Sequence, residues 1–161
     1  MGAGDALLVV DVQNDFLPGG ALGVRDWRRR DPASERAHRA LSARAAPDLH
    51  LPRLASAGPL LVPDPGWPVA GALRGRVPGA AFAPGLALPP DTPVLSKATE
   101  SGRDAYSAFD GTDLEERLRE GGVRRLFIGG LATDYCVRWT VQDALALGLD
   151  AVVVRDAVRA V

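Results

Sequence analysis

Three residues of different chemical type, Asp11, Lys97 and Cys136, stand where chemistry could be done. Cys136 is the chain's single cysteine and closes the segment Gly129-Gly-Leu-Ala-Thr-Asp-Tyr-Cys136. The apolar run Leu126-Phe-Ile128 before it reads as a buried strand. Val137, Val141, Ala144 and Leu145, followed by Gly148, read as an amphipathic helix with a glycine stop. A thiol on the first turn of a helix meets unpaired N–H groups and the positive end of the helix dipole, and both favour the thiolate. The plainer alternative is a buried cysteine packed as a small hydrophobe. Asp11 ends the apolar run Ala6–Val10, at the C-terminal end of a strand, where open α/β sheets place their ligands. Its plainer reading is a turn or cap residue, although Asp15 and Gly19-Gly20 could serve that turn. Lys97 lies just past the short run Val94-Leu-Ser96, where an isolated lysine is ordinarily a solvated charge. An acid, a cation and a thiol, each delivered by its own strand, make a candidate nucleophilic site.

The elements that must position them are strands over 6–11, 93–96, 124–128 and 150–154 and helices over 112–120 and 136–147. The first helix opens on Thr112-Asp-Leu-Glu115, a capping-box pattern, and stops at Gly121-Gly122. Alternating strands and helices predict an α/β three-layer sandwich, a mostly parallel sheet with helices on both faces. With 161 residues and 47% hydrophobic content, the chain can bury the core of a single domain over 1–161. Its net charge of −1 implies no nucleic-acid or membrane-surface partner. One cysteine excludes an intramolecular disulfide and suits a reducing cytoplasm. No apolar run approaches the ~18 residues of a membrane span, and the opening residues carry no signal-peptide pattern. No internal repeat is present.

The longer motifs carry a resemblance. Asp11-Val-Gln-Asn-Asp-Phe16 with Pro18-Gly-Gly20, Lys97, Asp104-Ala-Tyr-Ser-Ala-Phe109 and Gly130-Leu-Ala-Thr-Asp-Tyr-Cys136 resemble, in order, the nicotinamidases of the isochorismatase-like hydrolase superfamily. The match covers residues 1–23 and 80–161. It implies Cys136 as nucleophile, Asp11 as general base, and Lys97 as the cation that orients and polarises the pair. It also implies an oxyanion hole from the backbone N–H groups of Ala132 and Cys136, with a cis peptide at Leu131–Ala132. Phe16 and Tyr106 would line a ring pocket. The implied reaction converts nicotinamide and water to nicotinate and ammonia through a thioester. One alternative is a different hydrolase of the superfamily, acting on isochorismate or another small amide; the other is a non-catalytic product, a decayed reading frame or a binding protein on the same scaffold. A small-molecule partner and room for a homo-oligomer come with the resemblance.

Residues 24–79 break the pattern. Arg25, Arg28, Arg29 and Arg30 crowd together, prolines scatter, and no helical or strand period persists. Such a stretch reads as a linker or a divergent insert. The resembled family uses a divalent metal (Zn, Fe or Mn), held by Asp-Trp-His-x-x-x-His and Trp-Pro-x-His-Cys segments. This chain has only His38 and His50, in neither context, so no metal ligands are assigned. Read one base later, the codon families of Pro52–Val62 accommodate Arg-Asp-Trp-His-Pro-Pro-Asp-His-Cys-Ser-Phe. The same shift over Gly66–Leu73 accommodates Gly-Gly-Pro-Trp-Pro-Val-His-Cys, and over Trp27–Pro32 Gly-Asp-Ala-Val-Ile-Pro. A frame-shifted middle is therefore expected, lacking the first helix and at least one core strand. Relatives also continue beyond the equivalent of Val161, so an incomplete, C-terminally truncated domain is expected.

Overall fold

The computed structural model describes residues 3–24, 53–57, 78–84, 86, 88, 92–98 and 105–161. Among these residues, five parallel strands form one sheet in the order β3-β2-β1-β4-β5. They are β1 (Asp5–Val10), β2 (Arg53–Ala57), β3 (Val94–Ser96), β4 (Arg125–Leu131) and β5 (Asp150–Arg159). Helix α1 (Leu114–Glu120) connects β3 to β4, and α2 (Arg138–Ala146) connects β4 to β5. The mostly parallel α/β architecture read from the alternation of elements is the one observed.

Every residue of β1 is buried, as the central strand of a parallel sheet requires. Its side chains alternate between two cores. Ala6, Leu8 and Val10 join Leu126 and Ile128 of β4, Leu114 and Leu118 of α1, and Ala144 of α2. Leu7 and Val9 turn to the other face, against Val12, Leu17 and Ala83, with Phe82, Leu86 and Leu88 packed around them. Both described helices thus cover one face, while the opposite face is covered, among the described residues, by Val12, Leu17, Phe82, Ala83, Leu86 and Leu88. Leu114 and Leu118 lie four residues apart, one turn of helix, so α1 presents both to the sheet. Each such fully buried leucine contributes about 1.5–3 kcal/mol relative to exposure.

Several boundaries differ from expectation. β1 stops at Val10, so Asp11 stands beyond the strand rather than in it. The capping box is only partly realised: the Thr112 hydroxyl caps the Leu114 N–H rather than that of Glu115, and the Asp113 side chain makes no cap hydrogen bond. That hydroxyl accepts from the Leu114 N–H at 3.3 Å and donates to the Ala108 carbonyl at 2.7 Å, and α1 starts at Leu114. β5 runs to Arg159, past the expected stop at 154; it is an edge strand, and Arg155 and Asp156 are exposed there. The middle, expected to lack a core strand, supplies β2, which pairs with β1 from Leu7↔Arg53 to Val10↔Ser56 and with β3. Apart from Val24, β2 and residues 78–79, the frame-shift expectation for 24–79 lies outside the described residues.

The chain runs outward from β1 through β2 to β3, then returns to β4 on the other side of β1. Strand order therefore reverses between β1 and β4, where parallel sheets open a crevice at the strands' carboxyl ends. Gly130 makes the close approach there possible. It pairs with Val10 at φ +133°, and a Cβ on it would collide with the Val10 backbone carbonyl. Neither backbone can yield without disturbing the ladder. Gly130→Ala is expected to destabilise the domain by about 2–4 kcal/mol, combining overpacking with a backbone conformation closed to alanine. Urea unfolding checks this, and a midpoint equal to the parent's would refute it.

Candidate active site

Asp11 follows β1, Lys97 follows β3, and Cys136 lies in the turn after β4. All three are buried, with exposures of 0%, 1% and 0%. The Lys97 Nζ stands 2.8 Å from Asp11 Oδ2 and 3.6 Å from Cys136 Sγ. It also donates to the carbonyl oxygens of Ala105 at 3.1 Å and Tyr106 at 3.0 Å. The sheet thus brings together the acid, cation and thiol singled out in the sequence, with the lysine bridging the other two. The solvated-charge reading of Lys97 does not hold.

Local backbone aims these groups. Asp11 adopts φ +49° and Ala98, directly after Lys97, φ +53°. Both lie in the left-handed region that non-glycine residues seldom occupy, a strain that recurs at functional sites. Cys136 sits in a π turn, Thr133–Val137, in which the Val137 N–H donates to the Ala132 carbonyl five residues back at 3.1 Å. α2 continues directly from that turn, so the expected helix over 136–147 begins as a wider coil. The Leu131–Ala132 peptide is cis, as the resemblance implies, and Ala132 is buried.

Charge in this cluster is tightly coupled. Burial pushes the Asp11 carboxyl above its ordinary value, and Lys97 with Cys136 only partly restores it. For Lys97, burial works against the charge, yet Asp11 and then Cys136 more than offset it, and the ammonium is held above its usual value. The Cys136 thiol is pushed well up, first by burial and then by the Asp11 charge, with Lys97 opposing. A helix start was expected to favour the thiolate. Burial and a neighbouring carboxylate reverse that expectation, so the resting cysteine holds its proton and needs a base. Asp11 Oδ2 meets the Lys97 ammonium at 2.8 Å, and the carboxylate also faces the Cys136 thiol. It is therefore placed to accept the thiol proton.

Phe16 is buried in the main core, and Tyr106 is half-buried against it. Tyr106 stacks on Trp139 with ring centroids 6.5 Å apart and tilts toward Tyr135 at 6.1 Å. The sequence reading did not single out Trp139, Tyr135 or Thr140. Thr140 is fully buried and lies four residues after Cys136 on α2, a spacing that could have flagged it. His38 and His50 lie outside the described residues, and the described ones include no histidine. No group of three or more His, Cys, Asp or Glu able to hold a metal occurs among the described residues. The described donor set does not fit a divalent cation.

The Isochorismatase domain family model matches residues 5–161. The nicotinamidase/pyrazinamidase of Mycobacterium tuberculosis (strain ATCC 25618 / H37Rv) is 37% identical over 178 aligned residues, covering 94% of this chain and 84% of the relative. Those 178 positions exceed the 161 residues here, so the relative carries stretches that this chain lacks within the aligned span. A pyrazinamidase of Pyrococcus horikoshii, solved in complex with zinc, superposes with a TM-score of 0.77 at 38% identity, covering 98% of this chain and 87% of that one. PnC1 from L. infantum, solved in complex with nicotinate, superposes with a TM-score of 0.78 at 30% identity, covering 98% and 82%.

Proposed function

This chain belongs to the isochorismatase family of hydrolases, and from that premise we propose that it is a nicotinamidase, cleaving nicotinamide to nicotinate and ammonia in the cytoplasm. The observation that carries the reading is one buried ammonium within 2.8 Å of a carboxylate and 3.6 Å of a lone thiol. Relatives named for nicotinamide and pyrazinamide hydrolysis support the substrate class. Phe16 and Tyr106 are assigned to hold the aromatic ring.

In this mechanism Asp11 takes the Cys136 proton as Sγ attacks the amide carbon. The C–S bond forms, and the carbonyl π pair moves to oxygen. Backbone N–H groups of Ala132 and Cys136 are assigned to meet that oxyanion, which such donors stabilise most as charge develops. Collapse breaks the C–N bond, and Asp11 returns the proton so that the nitrogen leaves as ammonia. Water then attacks the thioester, Asp11 receives its proton, and the acid departs as the thiol re-forms. Lys97 stays charged throughout, holding Asp11 in place and countering negative charge as it passes to sulfur. No step runs through a metal, since the described donor set does not fit one.

A raised Asp11 carboxyl sets the pH dependence. Below its value the base is protonated, so kcat/KM is expected to fall with acid at a pH above the ordinary carboxylate value of ~3.9. Lys97, held above its usual value, contributes no loss on the alkaline side until beyond the ordinary lysine range. The test is nicotinate release from nicotinamide across pH, with isochorismate as the rival substrate. Turnover of isochorismate alone would overturn the substrate assignment, and an acid limb at ~3.9 would overturn the base assignment.

For residues 24–79 we keep the frame-shift as a proposal: read one base later, three of its segments accommodate the resembled family's own. Resequencing the coding DNA across codons 20–85 decides it, and an uninterrupted frame would refute it.

A further inference from the structure

Thr140 carries chemistry that the mechanism above does not use. Its hydroxyl donates to the Cys136 carbonyl at 2.7 Å and accepts the Ala108 N–H at 2.9 Å. The first bond alone would be ordinary, since helical threonines often bond the carbonyl four residues back. The second is long-range: Ala108 lies 32 residues earlier, in the turn whose carbonyls at Ala105 and Tyr106 hold Lys97. That turn is tied within itself. The Phe109 N–H donates to the Ser107 hydroxyl at 3.2 Å, and Thr112 donates to the Ala108 carbonyl at 2.7 Å. A loop of contacts therefore closes, from Cys136 Sγ to Lys97 Nζ, to the 105–108 turn, to the Thr140 hydroxyl, and back to the Cys136 carbonyl. Thr140, Ala108 and Cys136 are each 0% exposed, so water does not compete for these bonds.

We propose that Thr140 is a positioning residue whose hydroxyl couples the turn that anchors Lys97 to the turn that carries Cys136, and so fixes their separation. The proposal rests on the reading of Cys136 as nucleophile. Without the hydroxyl the two turns move apart independently, and the lysine's pull on the thiol weakens. Since Lys97 opposes the burial and the Asp11 charge that raise the thiol, its retreat moves Cys136 further up.

Thr140→Ser and Thr140→Ala both remove the methyl, and only Ala loses the hydroxyl; Thr140→Val keeps the shape and loses the hydroxyl. Because the chain has one cysteine, iodoacetamide alkylation reads Cys136 directly, and its pH midpoint reports the thiol without any substrate. In Ala and Val the midpoint is expected to rise by about half a unit or more, with Ser unchanged. With nicotinamide, kcat should drop about 10- to 100-fold in Ala and Val with KM held within about threefold, the scale of a misplaced reacting group. Ser should restore kcat. If Ser and Ala behave alike in both readouts, or Ala alkylates faster with no movement of the midpoint, the proposal is overturned. If only Ser folds, the hydroxyl serves folding rather than positioning, and the proposal also fails. A parent that turns over no amide, yet shows the Ser/Ala split in alkylation, would sink the nicotinamidase reading and leave this one standing.

Discussion

Replacing Cys136 with alanine is expected to remove turnover, with kcat falling by about 10⁴- to 10⁶-fold, as when the nucleophile of a covalent hydrolase is lost. No other thiol exists in the chain to substitute for it. The scale follows from the chemistry. Without Sγ there is no thioester, and Asp11 must activate water against an unactivated amide. Cys136→Ser is the sharper test, because a hydroxyl holds its proton far more tightly than a thiol, and Asp11 is a weak base for it. It should also fall by at least about 10³-fold. Neither variant should unfold the protein. Cys136 is buried in the main core, so truncation to alanine leaves a cavity of one sulfur, costing about 1–2 kcal/mol. Thermal melting shifted by a few degrees, beside lost nicotinate formation, separates chemistry from folding. A Cys136→Ala variant retaining a hundredth of the parent rate would sink the covalent mechanism.

The three residues that the sheet gathers were legible because Asp11 and Lys97 directly follow short strand-like runs, and Cys136 lies in the turn between a strand and a helix. What joins them was not. The Ala105 and Tyr106 carbonyls that hold Lys97 belong to a turn, and backbone acceptors leave no mark in residue type. The π turn at Thr133–Val137 is equally silent, since one turn of i−5 bonding cannot be told from i−4 by periodicity. The thiol's state was misjudged for a related reason: a helix start is visible locally, whereas the Asp11 charge arrives from far along the chain. β2 was illegible. Arg53-Leu-Ala-Ser-Ala57 has no β-branched or aromatic residue, and its pairing with β1 and β3 is imposed by long-range register rather than local propensity.

Breaking the Asp11–Lys97 pair is expected to cost both activity and stability, with opposite pH slopes for the two partners. Asp11→Asn removes the base, lowering kcat by about 10²- to 10⁴-fold. It also leaves a buried ammonium without its carboxylate, a loss of about 3–5 kcal/mol when one partner of a buried pair is removed. With Asp11 gone, burial dominates at Lys97 and drives its folded value below that of the unfolded chain. Between those two values the unfolded state binds the extra proton, so the stability of Asp11→Asn rises with pH toward ~10.4. Lys97→Met does the reverse. Burial then raises Asp11 further, the folded state holds the extra proton, and stability falls as pH climbs above ~3.9. The Asp11→Asn/Lys97→Met double variant buries no charge at this pair, so it should recover much of the stability, lose the pH slope, and regain no turnover. Urea unfolding of all four proteins at pH 5 and pH 9, with nicotinate formation alongside, measures each term of the cycle. A double variant as unstable as the two single losses added together would mean that the ion pair couples nothing. Lys97 would then be a packing residue, and the assignment of its charge to the site would fall with it.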